Sequence, residues 1–257
     1  MYTAAAGALV AQTDADIIAN NLANVSTTGF KRTLLDVTAG PSMDLQRVQT
    51  DPGSGNGSIL GGTSVSVPIG ALGLGSQVNS TNTAFDQGAT TQTGNPFDLA
   101  INGSGFFTIQ TPEGLRYTRS GAFVRDGRGL LMTQDGNLVL GNNGAIALPQ
   151  GDTKIGQDGT ISVNGNAVDK IRLTQFSNMN NLSKQGNSLF ADAGAQPTQD
   201  SSSVIDQGKL EQSNSNVVNS MVDLITAQRW FDANQKAIQT EAQATTQAIQ
   251  TVGNSKA

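Results

Sequence analysis

The chain has 257 residues, enough for one large domain or two small ones with a real core. Only 14% of them are charged, and 15 basic against 20 acidic residues give a net charge of −5, which argues against a nucleic-acid partner. The absence of cysteine and histidine removes disulfides, thiolate nucleophiles, the usual zinc ligands and the commonest proton-transfer group near neutral pH. We therefore expect no cofactor, no metal site and no enzymatic activity.

The first 25 residues predict a helix that is rich in alanine and nearly uncharged. Its larger apolar residues lie mainly 3, 4 or 7 positions apart, and the run STTG at 26–29 predicts its end. Residues 1–22 lack both the basic start and the continuous apolar run of a secretory signal peptide. No stretch of the chain predicts a membrane span, so we expect neither a cleavable signal nor membrane insertion.

The amino-acid composition of the middle of the chain changes twice. Residues 31–76 are rich in glycine, serine and proline and predict a linker with one short strand near 64–67. Residues 77–206 predict a β domain, because short β-type runs alternate with turn dipeptides such as Asn102-Gly103, Asp158-Gly159 and Asn164-Gly165. Residues 191–203, rich in Ser, Gln, Ala and Asp, predict a second disordered joint.

The strand candidates of this domain share β-branched, aromatic or leucine content. They are residues 99–101, 106–110, 116–119, 122–124, 130–133, 138–140, 160–163 and 171–176. Most are separated by only a few residues, which is typical of local hairpins.

The end of the chain carries the strongest periodicity. From 217 to 252, steps of 4 and 3 follow a mostly apolar stripe, which predicts a proline-free helix that packs along another helix. Three polar positions, Gln228, Gln235 and Thr245, weaken the stripe and are suited to fixing its register. Two interpretations remain open at this point: an intramolecular helical hairpin, and packing against other copies of the chain.

The predicted fold class is α+β, mainly β: a central β domain of hairpins lies between N- and C-terminal helices that pair into a coiled-coil-like stalk. Its parts are an N-terminal assembly helix at 1–30, a linker at 31–76, the β domain at 77–206 and a C-terminal assembly helix at 207–257.

Four blocks resemble the bacterial flagellar hook and rod family. IANNLANVSTTGFKR at 18–32 is similar to the family's N-terminal signature, and QTGNPFDLAINGSGFF at 92–107 with YTRSGAF at 117–123 resembles the entry to its β domain. GKLEQSNSNV at 208–217 is similar to its C-terminal block. The blocks are spread along the chain, so that the similarity spans nearly its whole length. PIGALGLG at 68–75, GNPFDLA at 94–100 and LPQG at 148–151 look more like the FlgF type than the FlgG type.

The resemblance implies a structural subunit of the flagellar basal-body rod, the drive shaft from motor to hook. It implies helices packed into the inner layers of a helical tube, with itself and other rod and hook subunits as partners. It also implies passage through the flagellar type III export apparatus without a cleavable signal, and a place in the basal body.

Certain residues suit such an assembly on physical grounds. Asn20 and Asn24 lie four apart on a helix, and neutral amides bond neighbouring helices without the desolvation penalty of ions, although they could instead merely end the helix. Gly29 could adopt positive φ and let Phe30 fold back. The candidate interface residues are Asn20, Asn21, Leu22, Asn24, Phe30, Val217, Met221, Leu224, Gln228, Phe231, Gln235 and Ile238.

Assembly has three alternatives: an enzyme, a secreted binding module and a cytoplasmic scaffold. An enzyme would have to use carboxylate pairs, Asp126 with Asp135 or Asp152 with Asp158, but all four lie at turns that favour aspartate for local reasons. A secreted module binding glycan through the β domain, and a cytoplasmic coiled-coil scaffold, fit the residues less well than assembly does.

Overall fold

The computed structural model describes residues 2–49, 65–186 and 188–254. Helix α1 spans Tyr2–Ala23. Four strands follow: β1 Thr33–Ala39, β2 Ser42–Gln49, β3 Val65–Gly73 and β4 Ser76–Thr83. Helix α2, Val217–Asn254, ends the described chain and is 38 residues long, or about 57 Å at 1.5 Å per residue. The long C-terminal helix predicted from periodicity is confirmed, and so is the fold class.

The strands between β4 and α2 are short. They are β5 Thr90–Gln92, β6 Leu99–Asn102, β7 Phe106–Thr111, β8 Gly114–Thr118, β9 Phe123–Arg125, β10 Leu131–Thr133, β11 Leu138–Gly141, β12 Gly144–Ala145, β13 Thr153–Ile155, β14 Thr160–Val163, β15 Asn166–Lys170, β16 Leu173–Phe176, β17 Leu182–Lys184, β18 Leu189–Asp192, β19 Pro197–Gln199, β20 Val204–Gln207 and β21 Lys209–Glu211. A 3₁₀ turn, Met179–Asn181, precedes β17. All eight strand candidates coincide with strands or overlap them.

The described residues form two compact units. One contains the described parts of 1–16, 35–80 and 224–257; the other contains the described parts of 17–34 and 81–223. The second unit holds a sheet of ten strands, with the order β17-β18-β8-β7-β11-β10-β9 and with β12, β16 and β19 attached at its side. Smaller sheets, β13-β14-β15, β20-β6 and β21-β5, complete it.

Strand β7 organises the core of the second unit. It pairs antiparallel with β8 on one edge and with β16 and β11 on the other. Because side chains alternate along a strand, Phe106 enters an aromatic cluster with Phe176 and Phe190, while Phe107 and Ile109 enter a larger aliphatic core. A strand buried on both faces in this way separates the two cores and holds them together.

The Asn164-Gly165 turn confirms the simplest hairpin prediction. Both residues have positive φ, 52° and 83°, and Val163 pairs with Asn166, as a two-residue turn requires. Asn102-Gly103 is different. It leads from β6 to β7, which pair with other strands and not with each other, so the prediction of a hairpin there is wrong.

The described parts of the region from 31 to 76, predicted as a linker, contain strands β1, β2 and β3 and the first residue of β4. Strands β2 and β3 form a hairpin in which Pro68 stands opposite Gln46 and Ile69 has no partner, so a bulge accommodates the proline. The predicted short strand near 64–67 corresponds to the start of β3, except that Ser64 lies outside the described residues. The glycine-rich run at 53–58 also lies outside them.

The prediction of a disordered joint at 191–203 is wrong. Strand β19 pairs with β16, and Ala195, Asp200 and Ser203 are buried. The Asp200 carboxylate accepts hydrogen bonds from the backbone N–H groups of Ser202 and Ser203. Polar composition predicted a loose segment, but the polar groups bond to one another inside the domain.

In the first unit, the described parts of α1 and α2 pair with each other. A Cβ atom at Gly7 would lie 3.0 Å from the Asn234 side chain, so the helices approach closely at that point. Ala11 on α1 and Ala227 on α2 are both buried. Neither described helix is apolar enough over a sufficient length to cross a bilayer.

Candidate assembly surface

The end of α1 is shaped by Gly29. Its φ is +65°, so the predicted positive φ is confirmed. A Cβ atom at this position would lie 2.3 Å from the backbone nitrogen of Ser120, which means that only glycine fits. The Gly29 N–H donates to the carbonyl oxygen of Glu211 at 2.8 Å, and Phe30 is buried directly after it.

Lys31 and Glu211 form an ion pair whose side chains are fully buried. The Lys31 Nζ lies 2.6 Å from Glu211 Oε1 and also donates to the carbonyl oxygen of Asp86 at 2.7 Å. The Gly88 N–H donates to the same carboxylate oxygen at 2.9 Å. Burial lowers the pKa of Lys31, and the Glu211 carboxylate opposes that shift.

Arg119 is the third buried charge. Its Nη2 donates to the carbonyl oxygen of Gly103 at 2.6 Å, its Nη1 lies 3.5 Å from Glu211 Oε2, and its guanidinium lies 5.0 Å from the centroid of the Phe106 ring. Burial lowers the pKa of Arg119, while Glu211 and then Asp200 oppose the shift. The two carboxylates therefore balance the two cations.

We call Gly29, Lys31, Arg119 and Glu211 the junction. It joins the end of α1, the turn after β8 and the end of β21, three segments far apart in the chain. The residues on which it depends were present in the blocks that carried the family resemblance, yet Lys31, Arg119 and Glu211 were not predicted as functional, and Gly29 was singled out only for its positive φ. The one available signal was the presence of charged residues inside those blocks of a weakly charged chain.

Lys184 covers the junction from β17. Its Nζ lies 3.6 Å from the centroid of the Phe30 ring and donates to the carbonyl oxygen of Lys31 at 2.8 Å. Burial lowers the pKa of Lys184 from 10.5 to about 8. Since the charged form is the one disfavoured, the group loses its proton in the folded protein before it does so in the unfolded chain.

A pH dependence follows for Lys184. Between pH 8 and 10.5 the unfolded state holds a proton that the folded state has released, so the free energy of unfolding of the wild type rises with pH relative to Lys184→Met. Urea unfolding at pH 7, 8, 9 and 10, followed by circular dichroism, measures this difference. A constant difference across that series would contradict the lowered pKa. Lys154→Met, at an exposed lysine of β13, is the control.

The four predicted residues near the end of α1 have different surroundings. Asn21 is buried, and its amide bonds both the N–H and the C=O of Thr33 at 2.9 and 2.8 Å, which fixes the start of β1. The Asn24 amide donates to the carbonyl oxygen of Asn20 and accepts from the Thr27 hydroxyl. Leu22 is half-buried and Asn20 is exposed. Asn21 and Asn24 thus have partners within the chain.

The predicted residues on α2 divide by exposure. Leu224, Phe231 and Ile238 are half-buried, whereas the others are exposed: Val217, Met221, Gln228 and Gln235. The least exposed positions between 224 and 238 are Leu224, Ala227, Phe231, Asn234 and Ile238, again in steps of 3 and 4. The inward-facing stripe therefore contains Ala227 and Asn234. The predicted stripe contained Gln228 and Gln235, which lie one residue later.

The carboxylates considered for acid–base chemistry lie at turns. Asp126 accepts hydrogen bonds from the N–H groups of Arg128 and Leu130, and these bonds lower its pKa. Asp158 accepts from the backbone and the hydroxyl of Thr160, which likewise lowers its pKa. Asp135 and Asp152 are exposed. Asp126 and Asp158 thus stabilise the local turns in their ionised form.

Three family models match the chain in sequence order. They are described as "Flagella basal body rod protein" for residues 1–31, "Flagellar hook protein FlgE/F/G D1 domain" for residues 100–163 and "Flagellar basal body rod FlgEFG protein C-terminal" for residues 206–251.

Whole-chain relatives agree with these matches. A protein named flagellar basal-body rod protein FlgG from Agrobacterium fabrum is 36% identical over 92% of this chain and 93% of its own length. A protein named FlgG from Bacillus subtilis is 34% identical over 93% of this chain and 94% of its own length. The chain belongs to the flagellar basal-body rod and hook family. A Caulobacter vibrioides protein named FlgF is 31% identical over 98% of this chain and 97% of its own length.

The three family segments meet at the junction. Lys31 is the last residue of the first segment, Arg119 lies in the second and Glu211 lies in the third. Each segment of this rod and hook family member therefore supplies one charge to the same buried site.

Proposed function

We propose that the chain is a structural subunit of the flagellar basal-body rod. It polymerises through its terminal helices and transmits torque from the motor to the hook. The names of its relatives support a rod subunit, and the exposed apolar residues of both helices support polymerisation. The proposed interface consists of the candidate residues Asn20, Asn21, Leu22, Asn24, Phe30, Val217, Met221, Leu224, Gln228, Phe231, Gln235 and Ile238.

The observation that carries this proposal is the apolar exposure of the two helices. Tyr2 on α1 is 86% exposed, and on α2 Val218, Trp230 and Ile249 are 68%, 65% and 68% exposed. A solvated helix usually presents charged and polar residues on its outer face. Large apolar groups on several sides of a helix fit a position surrounded by other helices.

The proposed partners are other copies of the chain and other rod and hook subunits. We further propose that the chain reaches the basal body through the flagellar type III export apparatus. A partner with a phosphate backbone fits poorly with the net charge of −5.

We propose the FlgG type, found in the distal rod, as the subtype. The support is the identity of 36% and 34% to two proteins named FlgG, against 31% to one named FlgF. The FlgF type, of the proximal rod, is a second candidate because the blocks at 68–75, 94–100 and 148–151 look more like it. Electron microscopy of basal bodies that carry a label on this chain separates the two positions.

Phe231 gives a direct test of the polymerisation role. We expect Phe231→Asp to block incorporation into the rod and abolish motility, because it places a charge in the stripe along which the helices pack. The β domain should stay folded, since Phe231 lies in the other unit. The measurements are motility, recovery of the chain in isolated basal bodies, and circular dichroism of the purified variant.

The matched control is Leu115→Asp, which adds the same charge at an exposed apolar position of β8. It should leave incorporation unchanged. Motile cells that carry Phe231→Asp in normal amounts in their basal bodies would overturn the role given to the helices.

A further inference from the structure

A polar pocket of about 220 Å³ lies within the second unit, where four segments that are distant in the chain meet. The segments are the turn after α1, the end of β8, the end of β10 and the start of β18. Six of its lining residues carry a hydroxyl group: Thr27, Thr28, Thr118, Ser120, Thr133 and Ser188. The first four belong to the blocks at 18–32 and 117–123 that resemble the rod and hook family, and the junction uses none of them.

Ser188 carries a buried hydroxyl without a partner. The residue is 5% exposed, and its Oγ forms no hydrogen bond with any residue that the structure describes. Its carbonyl oxygen, by contrast, accepts a hydrogen bond from the Thr118 hydroxyl at 2.8 Å. Buried polar atoms of native proteins nearly always have a partner, and leaving one unsatisfied is costly. An unsatisfied hydroxyl in the wall of a pocket therefore points to a ligand that bonds to it.

The one charged residue of the lining is Asp135. It is exposed, and no lysine or arginine of the described chain lies within 4.0 Å of its carboxylate. Asp126 and Asp158, at two other turns, accept hydrogen bonds from backbone N–H groups of their own turns. The Asp135 carboxylate accepts none from the residues that the structure describes. The lining thus presents a negative charge and no positive one.

We propose that this pocket binds a primary ammonium group, such as the one that ends a lysine side chain. An ammonium is a compact charge with three N–H donors. The Asp135 carboxylate and Ser188 Oγ supply two acceptors. Ser120 Oγ supplies a third, because it is paired with the Thr28 hydroxyl at 2.9 Å and keeps a second lone pair. Leu189, half-buried in the same lining, contacts the methylene groups that precede the ammonium.

Other ligand classes fit the lining less well. An anion would meet the Asp135 carboxylate with no cation to hold it. A guanidinium is planar and is held best by paired acceptors and an aromatic face, and the lining contains no aromatic residue. The volume is below the roughly 300–1,000 Å³ of pockets for drug-sized ligands, so the ligand is one small group.

The pocket belongs to the β domain, whereas the proposed polymerisation depends on α1 and α2, so the two proposals are tested separately. Two sources present a primary ammonium: a lysine of a neighbouring protein and a free amine. Both offer the same chemistry to the pocket, and cross-linking distinguishes them.

Binding is measured by NMR on the purified full-length chain, with n-butylammonium as the probe, because it has the four carbons and the ammonium of a lysine side chain. We expect saturable shifts of the backbone amide signals of Ser120, Asp135 and Ser188. The matched probe is n-butyltrimethylammonium, which has the same charge and chain but no N–H donor. It should bind about tenfold more weakly or not at all.

Two variants test the acceptors. Asp135→Asn removes the charge and keeps the size of the side chain, so n-butylammonium should bind about tenfold more weakly. Ser188→Gly removes the hydroxyl and suits the φ of +55° at that position, and it should weaken binding several-fold. Asp152→Asn, at an exposed aspartate of another turn, is the control and should leave the affinity unchanged. Circular dichroism checks that each variant is folded.

The source is identified by treating isolated basal bodies with a water-soluble carbodiimide. The reagent takes up water as it joins a carboxylate and an amine in contact into an amide. A peptide in which Asp135 is linked to a lysine of another chain identifies a protein as the source. Asp135 without such a link, in a chain that binds n-butylammonium, identifies a free amine.

Three results would each overturn the inference. The first is the absence of saturable shifts with n-butylammonium. The second is equal affinity for n-butyltrimethylammonium, which would reduce the effect to charge alone. The third is an affinity of Asp135→Asn or of Ser188→Gly that equals that of the wild type.

Discussion

Replacing Glu211 by alanine is expected to lower the free energy of unfolding of the β domain by about 3–5 kcal/mol. The change leaves Lys31 and Arg119 buried with no carboxylate between them, and it removes the acceptor for the Gly88 N–H. A loss of this size is a large share of the roughly 5–15 kcal/mol that stabilises a typical domain. Urea unfolding followed by circular dichroism measures it.

Glu113→Ala is the matched control for Glu211. Glu113 pairs with Arg116 at 3.1 Å, but its side chain is 78% exposed, so its removal should cost less than about 1 kcal/mol. A triple variant, Lys31→Met with Arg119→Met and Glu211→Leu, should recover much of the stability lost by Glu211→Ala, because neither cation is then buried without a carboxylate and Asp200 keeps its hydrogen bonds from Ser202 and Ser203. Equal costs for Glu211→Ala and Glu113→Ala would contradict the buried network.

Gly29→Ala is expected to cost about 3–4 kcal/mol. Alanine in the left-handed region accounts for about 1–2 kcal/mol of this. The remainder comes from the approach of the new Cβ to the backbone of Ser120, where the nearest atom would be 2.3 Å away. Backbone cannot rotate aside as a flexible side chain can, so the end of α1 has to move. The measurement is again urea unfolding.

Gly136→Ala separates the two contributions. Gly136 has a φ of +84°, and a Cβ there would have nothing within 4 Å. Gly136→Ala should therefore lower the free energy of unfolding only by the cost of placing alanine in the left-handed region, about 1–2 kcal/mol. If Gly29→Ala costs no more than Gly136→Ala, the contact with Ser120 is not a rigid one.

The elements with strong local periodicity were predictable from the sequence. Helix α2 has a repeat of 3 and 4 over 217–252, and β7 has a dense run of aromatic and β-branched residues; the repeat and the strand both match the observed bounds within two residues. Local pattern was enough there because the residues that decide the structure are neighbours in the chain. The C-terminal helical segment as a whole was predicted from 207, but residues 209–211 form β21 and the helix begins only at Val217.

Elements that depend on distant partners were missed. β19 has the polar sequence PTQ and exists because β16 pairs with it. The β2–β3 hairpin contains Pro68, which argues against a strand unless a bulge accommodates it. In both places composition described the residues correctly but could not supply the partner strand.

The junction shows the same limit at the candidate site. Lys31 and Glu211 are 180 positions apart, and no local pattern marks either as buried. On α2 the repeat of 3 and 4 was predictable. The stripe that faces inward nevertheless contains Asn234, whereas the predicted stripe contains its neighbour Gln235. Gly7 on α1 makes room for the Asn234 side chain, and periodicity within α2 alone gives no information about a contact with another helix.

The wide spacing of the junction residues has a temporal consequence. A polypeptide that emerges amino end first, from a ribosome or any narrow channel, presents Lys31 long before Glu211. Until the last fifth of the molecule appears, the lysine lacks its counter-ion and the domain cannot close around it. Completion of the fold is thereby postponed until almost all of the chain has been delivered.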